Sequence, residues 1–522
     1  MAVSASVPGG RDGGPEAAFA ALQARLRPFE STDDPARAEE RTVLAIPSIN
    51  LDPELLVRHR EDIAAQEERC LYLAFALRRP RVRLVVVTCL PVRDEVVDYY
   101  LGLIPVAEDA RARIHLLSPG DDSPRPLAQK ILERPELLAR LRELIPDRRG
   151  AFIMPFNVRD HERDLALELD VPIYGVDHRF ARYGIKSGCR GLFASAGVSH
   201  PPGANGLSSA VELADGLIAL RQARPGLEAA VVKLDDAVYG EGNLVIALRD
   251  LPPPGTRDEE AAIDVRLRTL PSSYLHKLGD GGIVEELIAG EIRSPSVQMR
   301  ILPGGDPVVV STHDQVLGGE LGQTFVACRF PAEREYAAAI VREARKVGAF
   351  LAAEGVLGRF GIDFVVARCD GDWVPHAVEI NLREGGTSHP YGALWLLTDG
   401  SLDEDKTTFR TPSGEAKYYF ATDRLGDPDH RGILLKDFLS ASEASGLGWD
   451  PGSQTGAVYH MLRALEQQGR IGVTAIGDSP DQAHEIYLGA ATLLDRLASV
   501  SRTTGVPASR RARQRRLRDA TT

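Results

Sequence analysis

The stretch GRFGIDFVVARCDGDWVPHAVEINLREGGTSHP, residues 358–390, decides how the rest of the chain is read. Two runs rich in β-branched and aromatic residues, 360–368 and 373–383, flank Asp370, Gly371 and Asp372, which predicts a β-hairpin. A three-residue turn centred on Gly371 makes residue i face residue 742 − i, so Asp363 falls opposite Glu379. Like charges directly opposite are destabilising, and alternation puts Asn381 and Arg383 on the face of Glu379. Two carboxylates and an amide carbonyl are hard oxygen donors suited to Mg²⁺. From spacing alone two readings stand: a metal cluster, or an exposed strand face whose acids Arg383 offsets. Pro375 points to an edge strand or a bulge, either of which shifts the register.

Working outward, Val43–Ile49, Val82–Leu90, Arg113–Leu117 and Ala151–Phe156 alternate with helical patterns near 53–78, 94–103 and 126–144, which is the grammar of a parallel α/β sheet. No GxGxxG follows any of these strands, so no dinucleotide is assigned. Residues 1–40 read as a flexible arm with a helix near Ala17–Leu26. After about Ala181 the pattern changes. A helix near 187–196 precedes the strand Ala229–Leu234, the loop DDAVYGEGN, a strand near 244–248, and the segment VEELIAGE; a helix spans 333–354. Beyond Gly400 helices are expected near 456–468 and 481–498, with GVTAIGDSP (472–480) as a turn and helix start capped by Asp478 or Ser479.

The 522 residues suit three or four domains, and 43% hydrophobic with 26% charged residues is an ordinary globular balance. The net charge of −12, from 74 acidic and 62 basic residues, argues against nucleic acid as the main partner. No apolar run is long enough for a membrane span, and no secretory leader is evident, so the expected location is the cytoplasm. Five scattered cysteines (Cys70, Cys89, Cys189, Cys328, Cys369) form neither a disulfide framework nor a CxxC pair. Only eight of the cations are lysines. Lys233, inside the apolar run AAVVKL, therefore needs an anionic partner. The glycine loop after it is either a hairpin turn or a phosphate-contacting loop, and Glu285, Glu286 and Glu291 are either a solvated strand end or nucleotide contacts. His313, Asp314 and Gln315 either contact substrate or end a strand; Cys189 reads as helix packing, and the six arginines from Arg510 to Arg518 as a solvated tail.

The phrases RYGIKSGCRGLFASAGV, VVKLDDAVYGEGN, RSPSVQMRI, STHDQVLGG, GRFGIDFVV, EINLREGGTSHP and GVTAIGDSP, in that order, resemble the ATP-grasp peptide ligases of the pheganomycin-biosynthesis type. The resemblance runs from Val43 to Ala498. It implies an α/β and α+β multidomain fold: a Rossmann-like pre-ATP-grasp domain (41–180), a two-subdomain ATP-grasp domain (181–400) and a small family-specific domain (401–498), between the arm (1–40) and a basic disordered tail (499–522). Carried over by motif, Lys186 and Lys233 contact phosphates under a flexible loop of Tyr239, Gly240, Glu241, Gly242 and Asn243. Glu285, Glu286 and Ile288 form the adenine hinge and Glu291 holds the ribose. Asp363, Glu379 and Asn381 bind Mg²⁺, or Mn²⁺ in its place; Arg383 stabilises transferring charge, and Gly385–His389 borders the carboxylate substrate. Tyr239 replaces an expected small residue and Glu384 an expected cation. The implied activity is ATP-dependent ligation of a carboxylate to an amine through an acyl phosphate, in peptide or specialised-metabolite biosynthesis. A catalytically silent ATP-binding scaffold and an ATP-grasp kinase are the alternatives, and oligomeric state is open.

Overall fold

The computed structural model describes residues 14–29, 41–51, 53–105, 107–235, 242–318, 324–403 and 407–503. Three sheets organise them. The first is parallel, with strands in the order Ile114–Leu117, Val82–Val87, Arg41–Ile46, Ala151–Pro155. Its two central strands, RTVLAI and VRLVVV, are buried almost throughout, as sheets covered on both faces require. The strand order reverses between Arg41–Ile46 and Ala151–Pro155, and a crevice opens at the carboxyl ends of such a pair. The expected helix at 53–78 is three pieces, Pro53–Arg58, Arg60–Glu67 and a 3₁₀ segment Glu68–Arg78. That at 126–144 is divided because Pro135 cannot continue a helix and instead starts a new one, Pro135–Glu143. Within the arm, helix Pro15–Gln23 is docked rather than free: Phe19 and Leu22 are buried, and the Gln23 amide exchanges two hydrogen bonds with the Ile173 backbone at 2.8 and 2.7 Å. The basic tail lies outside the described residues beyond Thr503.

The second sheet is antiparallel, in the order Gly203–Leu207, Gly282–Glu286, Ala229–Leu234, Asn243–Ala247. The third has eleven strands. Asp372–Asn381 is at one edge, followed by Gly358–Cys369, Pro295–Ile301, Val308–Gly318, Thr324–Phe330 and Ala416–Gly426. Helix Arg334–Ala353 covers it through Tyr336, Ile340, Val347 and Leu351, spaced at helical period. Pairing of Cys328 with Ala421 makes the sheet continuous past residue 400, so the C-terminal strands extend it.

Two C-terminal expectations are overturned. Residues Gly456–His460 are a strand, and only Arg463–Gln468 is helical. All five strand residues are buried, and periodicity cannot separate a short, fully buried strand from a helix. GVTAIGDSP likewise begins inside the strand Arg470–Gly477. Ser479 caps the helix Pro480–Thr503 by accepting from the Gln482 amide at 3.1 Å, while Asp478 pairs with the buried Lys417. Among the described residues no helix is long and apolar enough to cross a membrane.

Candidate active site

The hairpin of 358–381 brings Asp363 opposite Glu379, for a reason the turn arithmetic did not contain. The turn has two residues, Asp370 and Gly371, at φ 51° and 95°, as a type I′ turn demands, and Cys369 faces Asp372. A bulge then adds one residue, Val378, because Phe364 faces Ala377 while Asp363 faces Glu379. The short turn and the bulge offset each other. Pro375 sits on the outer strand, where its missing N–H costs no ladder bond.

Asp363 accepts from Gln315 Nε2 at 2.7 Å and from Asn381 Nδ2 at 3.0 Å. Glu379 is ion-paired with Lys186, the first residue of helix Lys186–Ser195. Burial, with Glu379 alongside, raises the Asp363 carboxyl above the usual range. Burial acts the same way on Glu379, but Lys186, Arg383 and Lys233 outweigh it and hold that carboxyl low. Lys186 in turn stays protonated beyond its ordinary range, since Glu379 overrides the cost of burial. Donors and charges that sequence reasoning missed complete the cluster. Gln315 was seen only as an ambiguous strand residue; its neighbours His313, bonded to the Tyr419 hydroxyl at 2.6 Å, and Asp314, which takes the Glu333 amide at 2.9 Å, are structural. Cys189 packs as expected, with its thiol pushed up to about 12 by burial, and its sulfur also accepts the Ile380 amide at 3.2 Å, pinning the strand between Glu379 and Asn381.

Lys233 finds its anionic partner in Glu285 on the adjacent strand. The other oxygen of Glu285 takes Arg190 at 3.0 Å, so one buried carboxylate holds two cations. Arg190 lies one helical turn after Lys186, a spacing that would have pointed to it. Glu286 faces outward to Arg224 at 2.9 Å; Ile288 is half-buried, and Glu291 is exposed, 3.6 Å from Arg293. Asn243 begins a strand opposite Lys233, so the glycine loop is the connection of a hairpin. Tyr239, Gly240 and Glu241 lie outside the described residues; the Gly242 carbonyl accepts from the Tyr274 hydroxyl at 2.9 Å.

A cleft opens at the crevice of the parallel sheet, lined by Ile49, Arg69, Phe156, Glu384, Gly385 and His389. Arg383 stacks over Phe156 at 5.7 Å. Glu384 is half-buried, 3.7 Å from Arg359, and its shielded Oε1 has no hydrogen-bond partner among the described residues. Burial raises its carboxyl, with Arg359 and Arg69 opposing.

Residues 439–489 match the family model described as PGM1 C-terminal domain. The L-propargylglycine–L-glutamate ligase of Streptantibioticus cattleyicolor is 32% identical over 438 residues, which cover 82% of this chain and 89% of that protein. The chain belongs to the ATP-grasp peptide ligases of the pheganomycin-biosynthesis type. As a member of this ATP-grasp family it is an enzyme, an ATP-dependent carboxylate–amine ligase. The IQ motif-containing protein H of Danio rerio is 23% identical over 485 residues, covering 81% of this chain and 45% of that protein. Among solved structures, the ADP complex of an N5-carboxyaminoimidazole ribonucleotide synthetase is similar over 88% of this chain and 98% of its own, at 13% identity and a TM-score of 0.48.

Proposed function

We propose that this ligase activates the carboxylate of an α-amino acid with ATP and Mg²⁺ and passes the acyl group to an amine. The observation that carries the site assignment is the facing pair Asp363 and Glu379, two half-buried carboxylates with Asn381 at their side and two lysines within the same charge network. Such an oxygen donor set fits a hard divalent ion, with Mn²⁺ an acceptable substitute. When bound, that ion would offset charge on the terminal phosphates.

In the first step a donor carboxylate oxygen forms a bond to the γ-phosphorus and the bond to ADP breaks. In the second, the amine nitrogen attacks the acyl carbon, the C–O bond to phosphate breaks, and the ammonium proton leaves with solvent or phosphate. Alignment and fixed charge carry most of the catalysis in phosphoryl transfer. Lys186 and Lys233 would exchange their carboxylate partners for phosphate oxygens, and Arg383, beside the cleft, would hold the carboxylate and transferring oxygens. The segment of Glu285, Glu286 and Ile288 would receive the adenine, Glu291 the ribose, and the connection 239–243 would cover the phosphates. We place the activity in the cytoplasm, where ATP is supplied, and take the pre-ATP-grasp, ATP-grasp and C-terminal units as 41–180, 181–400 and 401–498.

The donor class follows from Glu384. A shielded carboxylate oxygen that lies 3.7 Å from Arg359 but has no hydrogen bond among the described residues, on the wall of the cleft, matches the ammonium of an amino acid whose carboxylate faces Arg383. Both amino acids in the relative's name, propargylglycine and glutamate, carry such a group. A phosphate-release screen tests the reading. ADP and phosphate should form in equal amounts only when an amino acid with a free α-amino group and an amine acceptor are both supplied. Glu384→Gln should raise KM for that donor about 10- to 100-fold, the equivalent of one charge-assisted hydrogen bond. Equal use of N-acylated and free amino acids by the unaltered enzyme would contradict the donor assignment.

A further inference from the structure

We propose that His389, Asp423 and His460 form a second metal site, for a transition ion of the Zn²⁺ class, which ties the substrate loop to the C-terminal sheet. The three side chains come from separate elements: helix Ser388–Thr398, strand Ala416–Gly426 and the end of strand Gly456–His460. Their ligand atoms nevertheless converge. His389 Nε2 is 2.9 Å from His460 Nε2, His460 Nε2 is 2.8 Å from Asp423 Oδ1, and His389 Nε2 is 3.4 Å from Asp423 Oδ1. A tetrahedral ion with bonds of roughly 2.0–2.1 Å spaces its ligand atoms about 3.3 Å apart, so a small ion fits this triangle with slight spreading.

The arrangement is a convergence and not a relay. A histidine that passes a proton along a chain uses its two ring nitrogens in opposite directions, whereas His460 turns the same nitrogen toward both partners. One Nε2 hydrogen can serve both only by being shared, and a second hydrogen on His389 Nε2 would point at the first. A divalent ion accepts all three lone pairs at once. The outer contacts are those of a built site. Asp423 Oδ2 is held by Arg69 Nη1 at 3.0 Å, which fixes the carboxylate, and the His460 ring lies against Gly472, where a Cβ would come within 2.1 Å of Nε2. The first glycine of GVTAIGDSP thereby acquires a physical role. His389 and His460 are buried.

Two imidazoles and one carboxylate suit Zn²⁺ or its neighbours, whereas the all-oxygen set of Asp363, Glu379 and Asn381 suits Mg²⁺. The two sites are therefore chemically distinguishable in one protein. His389 closes the segment Gly385–His389 that borders the cleft, so an ion here would fix that loop through the C-terminal strands.

The test uses the full chain freed of any histidine tag, stripped with a chelator and returned to Mg²⁺ buffer. Titration with Zn²⁺ against a competing chelator should saturate at one equivalent per chain, and Co²⁺ should give the intense visible absorption of a four-coordinate site. His460→Gln and Asp423→Asn should each weaken Zn²⁺ binding by at least about 100-fold, the upper end of what outer contacts alone contribute, while Glu379→Gln should leave it intact. Absence of saturable binding, a weak six-coordinate Co²⁺ spectrum, or equal affinity in all variants would overturn the proposal. The Co²⁺ spectrum of the unaltered chain decides even where a variant fails to fold. Failure here leaves the ligase reading untouched, because Glu379→Gln addresses the other site.

Discussion

Glu379→Gln is expected to lower turnover by on the order of 1000-fold while the far-ultraviolet dichroism stays native. The substitution removes one of two facing charges but keeps a carbonyl oxygen that accepts from Lys186, so the buried ammonium retains a partner. What it removes is a charged ligand of the ion that would offset negative charge on the transferring phosphoryl group, and a preorganised electrostatic contact of that kind is worth about 100- to 1000-fold in rate. Steady-state rates over a range of Mg²⁺ concentrations check it. Near-normal turnover at saturating Mg²⁺ would show that the facing pair is not where the ion is held.

The second large effect belongs to stability. Glu285 engages Lys233 with one oxygen and Arg190 with the other; Glu285 and Arg190 are buried and Lys233 is largely so. Glu285→Gln offers only one acceptor, so one buried cation is left facing an amide N–H₂ group. Breaking a buried pair from one side costs about 3–5 kcal/mol. Urea unfolding should therefore show a loss of that size. Saturating ATP should restore part of it, because phosphate would supply the missing anion. A variant as stable as the parent, with or without nucleotide, would mean that Lys233 and Arg190 do not depend on Glu285.

Local patterns made the order of elements legible, and side-chain pairings between distant segments were the part they left out. The parallel first sheet was readable because Val82–Val87 and Ala151–Pro155 are short β-branched or apolar runs separated by helical periods. The facing of Asp363 and Glu379 follows from sequence only with the wrong turn length, which a bulge at Val378 offsets. Pro375, which forbids a central strand, was the one residue that hinted at the irregularity. From sequence, Gly456–His460 reads as helix because its five residues are all buried in the strand they form and show no alternation. That misreading hid His460, and with it the triangle with His389 and Asp423, whose members lie 71 and 37 residues away. Arg190 carries no local signal of its partner, and the reading of Gln315 stays open between substrate contact and strand end, for a related reason: each is placed by contact with a strand far along the chain.

Oxygen transfer tests the central claim most directly. When the donor carboxylate carries ¹⁸O in both oxygens, attack on the γ-phosphoryl group followed by displacement leaves one labelled oxygen in each phosphate released. Mass spectrometry of that phosphate should show one ¹⁸O atom per molecule, formed in step with ADP and the new amide. Unlabelled phosphate, or label recovered in AMP, would contradict an acyl phosphate formed at this site.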